Sequence, residues 1–182
     1  MMLRTCGIVL GLLGCAPEPL VLHLDNATEA ERQATTDAIA RMNPYARLGR
    51  NITLAATPLS GIYTLSFVER IPTKDGDMLG RECTKEGQDC PRARFIRVLR
   101  GMDTDLLVQV IAHEIGHAWR LPHLPPRAMM ASGTGVASPF FTAVDQAVCI
   151  DKGECAKTPM APPPLPPASP EAKALAPSRR ID

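Results

Sequence analysis

Net charge is nearly absent from this chain. Twenty basic residues against 19 acidic ones leave +1 at pH 7, and no long run of lysine or arginine occurs. That balance argues against a nucleic-acid binder and against a polybasic protein held to a membrane by charge. Closely spaced Cys-x-x-Cys pairs are missing as well, which speaks against a zinc site built from thiols. No internal repeat is present, so nothing points to a stacked-repeat architecture. The apolar run Cys6 to Leu13 is too brief to span a bilayer as a mature helix. Histidine is scarce, with only four in the chain. What is there suits a single domain: 182 residues with an ordinary 45% hydrophobic content.

The first residues, Met1 to Gly14, carry Arg4, then the apolar run, then small residues. This is the pattern of an export signal. Leu12-Leu13-Gly14-Cys15 resembles the bacterial lipobox, in which a peptidase cleaves before a lipidated cysteine. The resemblance implies that the mature protein begins at an acylated Cys15 and is anchored by several acyl chains, which together hold firmly where one is marginal. Ala16, where an aspartate would favour inner-membrane retention, implies delivery to the outer membrane. Residues 15–19 then serve as a lipidated tether, and the folded domain is expected over 20–156. From Lys157 the composition turns to proline and alanine, and residues 157–182 are expected to be an extended, solvated tail.

Export places the remaining cysteines in an oxidising compartment. Cys83, Cys90, Cys149 and Cys155 permit three pairings, and the short-range set, Cys83–Cys90 with Cys149–Cys155, is the natural one. Each of those pairs closes a loop rich in Gly, Asp, Glu and Lys.

Along the domain, Leu20 to Leu24 reads as a strand. A helix follows, capped by Asn26 or Thr28 and ending at Met42 before Asn43-Pro44. Asn51–Thr57, Ile62–Ile71 and Arg92–Arg100 read as further strands, with turn chemistry at Lys74–Asp77 and a loop at Cys83–Pro91. Asp103 or Thr104 can cap a helix from Asp105 to Trp119 that is apolar on most sides, hence buried. A last helix over about Thr142–Ile150 is expected to pack beneath it.

That buried helix carries the informative feature. Residues 113–123 read His-Glu-Ile-Gly-His-Ala-Trp-Arg-Leu-Pro-His and hold three of the four histidines. Four residues apart on a helix, His113 and His117 project from one face and can reach one metal ion. Glu114 is turned about 100° away from His113, placed to reach water on that ion. His123 can add a third nitrogen. Three protein ligands with one position left open is the arrangement of a catalytic zinc site. His23, on the first strand, reads as structural.

The spacing of His113, Glu114, His117 and His123 resembles that of the metzincin zinc endopeptidases, His-Glu-x-x-His-x-x-Gly-x-x-His. Ala128-Met129-Met130-Ala131-Ser132-Gly133 is similar to their methionine turn, with Met130 preferred over Met129 as its methionine. The resemblance implies an α+β, zincin-like fold: a small twisted mixed sheet, a backing helix and a buried active-site helix. It further implies one Zn²⁺ per chain, Glu114 as general base, and an extended peptide or protein substrate bound along an edge strand. No room for a propeptide is expected between Cys15 and the first strand, and a monomer is expected. Arg120 stands where the family has glycine. A distorted turn there would favour the alternative, a catalytically inactive zinc-binding or adhesive lipoprotein. A zinc hydrolase acting on a non-peptide amide is a third reading.

Overall fold

The computed structural model describes residues 18–73, 76–83, 94–132 and 137–158. The expected export signal, Cys15, Lys74 and Asp75, Cys90, Gly133 and the expected tail from residue 159 onward lie outside these. Among the described residues, no helix is long and apolar enough to cross a membrane.

Strand β1 (Leu20–Asp25) opens the domain and leads into helix α1 (Glu29–Met42). The helix starts where it does because Thr28 and Glu31 form a reciprocal cap. The Thr28 N–H donates to the Glu31 carboxylate at 2.7 Å, and the Glu31 N–H donates to the Thr28 hydroxyl at 3.3 Å. It stops at Met42 because Pro44 cannot continue it, and a short 3₁₀ turn (Asn43–Tyr45) follows. Strands β2 (Ile52–Ala55) and β3 (Tyr63–Val68) come next, both parallel to β1. A minimal hairpin, β4 (Pro72–Thr73) and β5 (Gly76–Asp77), precedes β6 (Gly80–Cys83) and β7 (Phe95–Leu99). Helices α2 (Thr104–Ala118) and α3 (Ala143–Asp151) complete the order.

The result is a mixed α/β fold around a five-stranded sheet in the order β2-β1-β3-β7-β6. All its pairings are parallel except β6 with β7. Residues paired across strands share a face, so Leu22, Leu24, Leu65, Phe67, Ile96 and Val98 line the side against which α1 and α2 pack. Gly80 belongs to the same face, opposite Val98. Strand β3 is buried on both faces, because Thr64 and Ser66 are covered too.

Strand β1 runs one residue past the expected segment, β2, β3 and β7 are shorter than expected, and β6 falls where the sequence shows no strand pattern. Gly80-Arg81-Glu82-Cys83 has neither alternation nor β-branched residues. It is held by its ladder to β7, a non-local partner that propensity does not reveal. The two edges of the sheet differ. At β2, the Asn43 side chain both accepts from the Ile52 N–H (2.7 Å) and donates to the Ile52 carbonyl (3.0 Å), closing off that edge. Strand β6 is the opposite edge and lies alongside α2.

Candidate metal centre

Helix α2 begins at Asp103, whose carboxylate accepts the Leu106 N–H at 3.0 Å, and runs through the core with residues 107–116 buried. His113 and Glu114 are fully buried, His117 is half-buried, and His123 faces solvent. The three imidazoles form one group: ring centroids are 4.7 Å apart for His113–His117, 4.8 Å for His117–His123 and 5.5 Å for His113–His123. Their ligand atoms all lie within 4.8 Å of one another, so the group can hold a metal ion.

The tautomers suit that role. His113 Nδ1 lies 3.0 Å from the Met129 carbonyl oxygen, and His117 Nδ1 lies 2.9 Å from that of Leu121. A carbonyl only accepts, so each Nδ1 carries the proton and each Nε2 carries the lone pair a metal requires. His123 completes the group from the solvent side.

The chain reverses after α2 at Arg120, with φ at 63°. The Leu121 N–H donates to the Gly116 carbonyl (3.0 Å) and the Arg120 N–H to the His117 carbonyl (2.7 Å), the paired bonds of a Schellman turn. A side chain in this left-handed conformation costs about 1–2 kcal/mol relative to glycine. The two bonds satisfy carbonyls that the helix end would leave unmet. Arg120 therefore takes the conformation that glycine favours, and His123 arrives beside the other two histidines.

Behind the ligands lies the segment 124–131. Met130 packs against the helix at Gly116: a β-carbon built on Gly116 would sit 2.2 Å from the Met130 sulfur and 3.5 Å from Met129 Cε. Glycine at 116 is thus what lets this segment approach between His113 and His117. Of the two methionines, Met130 supplies the buried thioether and Met129 the carbonyl that His113 engages.

Sequence reasoning missed the residue that holds this segment. Asp145, fully buried on α3, accepts from the Met129 N–H (2.9 Å), the Met130 N–H (3.0 Å), the Thr142 N–H (2.8 Å) and the Thr142 hydroxyl (2.5 Å). Four donors compensate a buried carboxylate that alone would be costly. The available signal was Thr142-x-x-Asp145, the spacing of a helix cap.

On the sheet side, Gly80 of β6 lies against Glu114: its β-carbon would stand 2.5 Å from Glu114 Oε1. Two residues on, Glu82 accepts from the hydroxyl of Tyr63 on β3. Burial, then the charge and hydrogen bond of Glu82, raise the Tyr63 phenol from 10.0 to about 12, against the opposing charges of Arg94 and Arg120. Burial likewise raises Glu82 above the usual glutamate value.

Cys149 and Cys155 are joined by a disulfide, with an S–S distance of 2.07 Å, closing the loop after α3. Cys83 is disulfide-bonded too, and Cys90, the partner expected for it, lies outside the described residues. His23 sits away from the cluster, with Nδ1 3.3 Å from the Ala55 carbonyl oxygen.

No family model matches the chain, and no curated protein matches it. Among solved structures, it is similar to the crystal structure of archaemetzincin (amzA) from Methanopyrus kandleri, at 16% sequence identity and a TM-score of 0.48. That similarity covers 78% of this chain and 98% of the other.

Three outcomes are expected. Arg120→Gly removes the left-handed strain and raises stability by about 1–2 kcal/mol in urea unfolding. Asp145→Ala strands two buried N–H groups, lowering stability by about 2–5 kcal/mol and zinc affinity about 10–100-fold in competition titrations. The third concerns alkaline pH. Because the folded Tyr63 value is raised, its contribution to stability is complete below pH 10.0 and is lost as pH rises through about 12. Urea midpoints of the parent should fall across that window more steeply than those of Tyr63→Phe; parallel curves would contradict it.

Proposed function

We propose that this chain is a zinc-dependent endopeptidase, anchored by lipid at Cys15 to a bacterial envelope. The observation that carries the catalytic reading is the convergence of His113, His117 and His123 beside the fully buried Glu114. A purely structural or binding site has no use for an acid at that place, and a chance His-Glu-x-x-His on a helix would bring no third histidine.

In this reading, the imidazoles of His113, His117 and His123 would hold one Zn²⁺. Bound zinc supplies Lewis acidity to a water and to the scissile carbonyl. Glu114 would take a proton from water as its oxygen bonds to the scissile carbonyl carbon, and give that proton to the amine nitrogen as the C–N bond breaks, the acid–base work of a carboxylate enclosed in a low-dielectric site. Gly80, with no side chain, lets β6 lie against that carboxylate. Because β6 pairs with β7 alone among the described residues, its outer edge can take an extended peptide as an added strand and lay its backbone past Glu114.

The inactive alternative draws on Arg120, and it loses that support because the turn closes with arginine in place and His123 stays in the group. The third reading, a non-peptide amide substrate, shares the same metal chemistry and differs only in what enters the cleft.

The test uses an unfolded protein substrate and metal analysis together. Glu114→Ala should lower cleavage about 10²–10⁴-fold and still bind zinc, whereas His123→Ala should weaken zinc binding itself. Cleavage that survives Glu114→Ala unchanged would end the peptidase reading.

A further inference from the structure

Between the 3₁₀ turn and β2, Arg47-Leu48-Gly49-Arg50 form a tight turn. It is closed by the Arg50 N–H donating to the Arg47 carbonyl at 2.8 Å, with Gly49 at a φ of 82°. Leu48 at its tip is 91% exposed, the most exposed of the large apolar side chains among the described residues. A single exposed leucine needs no explanation by itself. The surroundings of this one do.

The turn is clamped at both ends. The Arg47 N–H donates to the Glu154 carbonyl at 2.8 Å, and the Arg50 guanidinium forms a two-pronged pair with the buried Glu154 carboxylate. The same guanidinium donates to the Glu18 carbonyl at 2.9 Å. Leu48 is therefore fixed relative to Glu18, the first described residue. Cys15 lies three residues upstream. Three residues of chain reach at most about 11 Å, little more than the headgroup layer of one leaflet, about 5–8 Å deep. A domain acylated at Cys15 cannot lift this end away from the lipid surface.

The chemistry of the turn fits that neighbour. An apolar tip with an exposed Arg47 beside it can bury the leucine among acyl chains while the guanidinium stays with the phosphates. Exposed Lys152 and Lys157 lie on the segment that pairs with this region through the Ala46–Cys155 bridge. Near this region in the sequence, Glu18 and Asp151 are exposed acidic groups, and Glu154 is paired with Arg50.

We propose that the turn Arg47–Arg50, with Leu48 inserted, is the surface by which this domain rests on an anionic phospholipid bilayer. The inference rests on the lipid-anchoring reading above and is independent of catalysis. Its consequence is orientation. The turn leads into β2 at one edge of the sheet, and Glu114 borders β6 at the other. Four strand spacings, about 19 Å, separate β2 from β6. Resting on the β2 side leaves the β6 edge, where an extended peptide would add, turned away from the membrane.

The test is depth-dependent quenching on the full, lipidated chain in phosphatidylethanolamine–phosphatidylglycerol vesicles, with and without brominated acyl chains. The lone tryptophan, Trp119, is 1% exposed and gives a constant background. Leu48→Trp and Val144→Trp both replace exposed residues. Val144 lies at the end of α3 away from the disulfide loop that adjoins the turn. Loss of the added emission in brominated vesicles for Leu48→Trp, with Val144→Trp unaffected, is the expected result. Equal behaviour of the two in vesicle-bound protein overturns the orientation and leaves anchoring intact. A mass spectrum showing no acyl groups on Cys15 removes both the anchoring reading and this inference, without touching the metallopeptidase reading.

Discussion

Two backbone carbonyls govern the candidate metal centre. Those of Met129 and Leu121 hold the Nδ1 atoms of His113 and His117, fixing both ring orientation and tautomer. Neither carbonyl belongs to α2. Both come from the chain that follows it, so the ligand geometry depends on how that chain folds back. Arg120 turns it, Gly116 lets it approach, and Asp145 pins it from α3 through two N–H groups. The histidines are thus oriented by backbone that is itself anchored to a third helix. Most of the sheet serves to press α2 and α1 into a common core beneath them.

The local part of this design was legible in the sequence, and the non-local part was not. His113, Glu114 and His117 could be placed because helical spacing alone puts them together, and α2 itself was readable from its cap and its apolar run. The cap at Thr28 and the stop at Met42 were equally plain, being decided by neighbouring residues. Strand β6 was hidden because a Gly-Arg-Glu-Cys segment becomes a strand only through its partner β7. Asp145 was hidden for a similar reason. Its spacing to Thr142 advertised a helix cap, and the same carboxylate oxygens also accept from Met129 and Met130. A capping residue with a second duty looks, in sequence, like any other cap.

The two edges of the sheet are finished in different ways. An edge strand exposes unpaired backbone groups that invite pairing with other chains. At β2 the outward groups of Ile52 are taken by Asn43, and the adjoining turn is locked to Glu154. At β6 the neighbouring feature is the cleft wall formed by α2, with Gly80 against Glu114. Among the described residues, one edge is thus closed by a side chain and the other is brought up to the buried acid beside the histidine cluster.

Arg120 shows why departure from a motif has to be weighed by conformation rather than by identity. Glycine is favoured at a helix C′ position because it alone enters the left-handed region without strain. The strain for another residue is about 1–2 kcal/mol. Against it stand two hydrogen bonds to otherwise unmet carbonyls, each contributing about 0.5–1.5 kcal/mol, and the free energy of whatever ion the completed ligand set binds. Those terms are large enough to hold arginine in the turn. Its charge then lies within range of the Tyr63–Glu82 pair, where it opposes the effects that raise the phenol. Arginine therefore takes the turn that glycine favours and adds a charge beside the histidine cluster, a difference that a rule counting glycines cannot register.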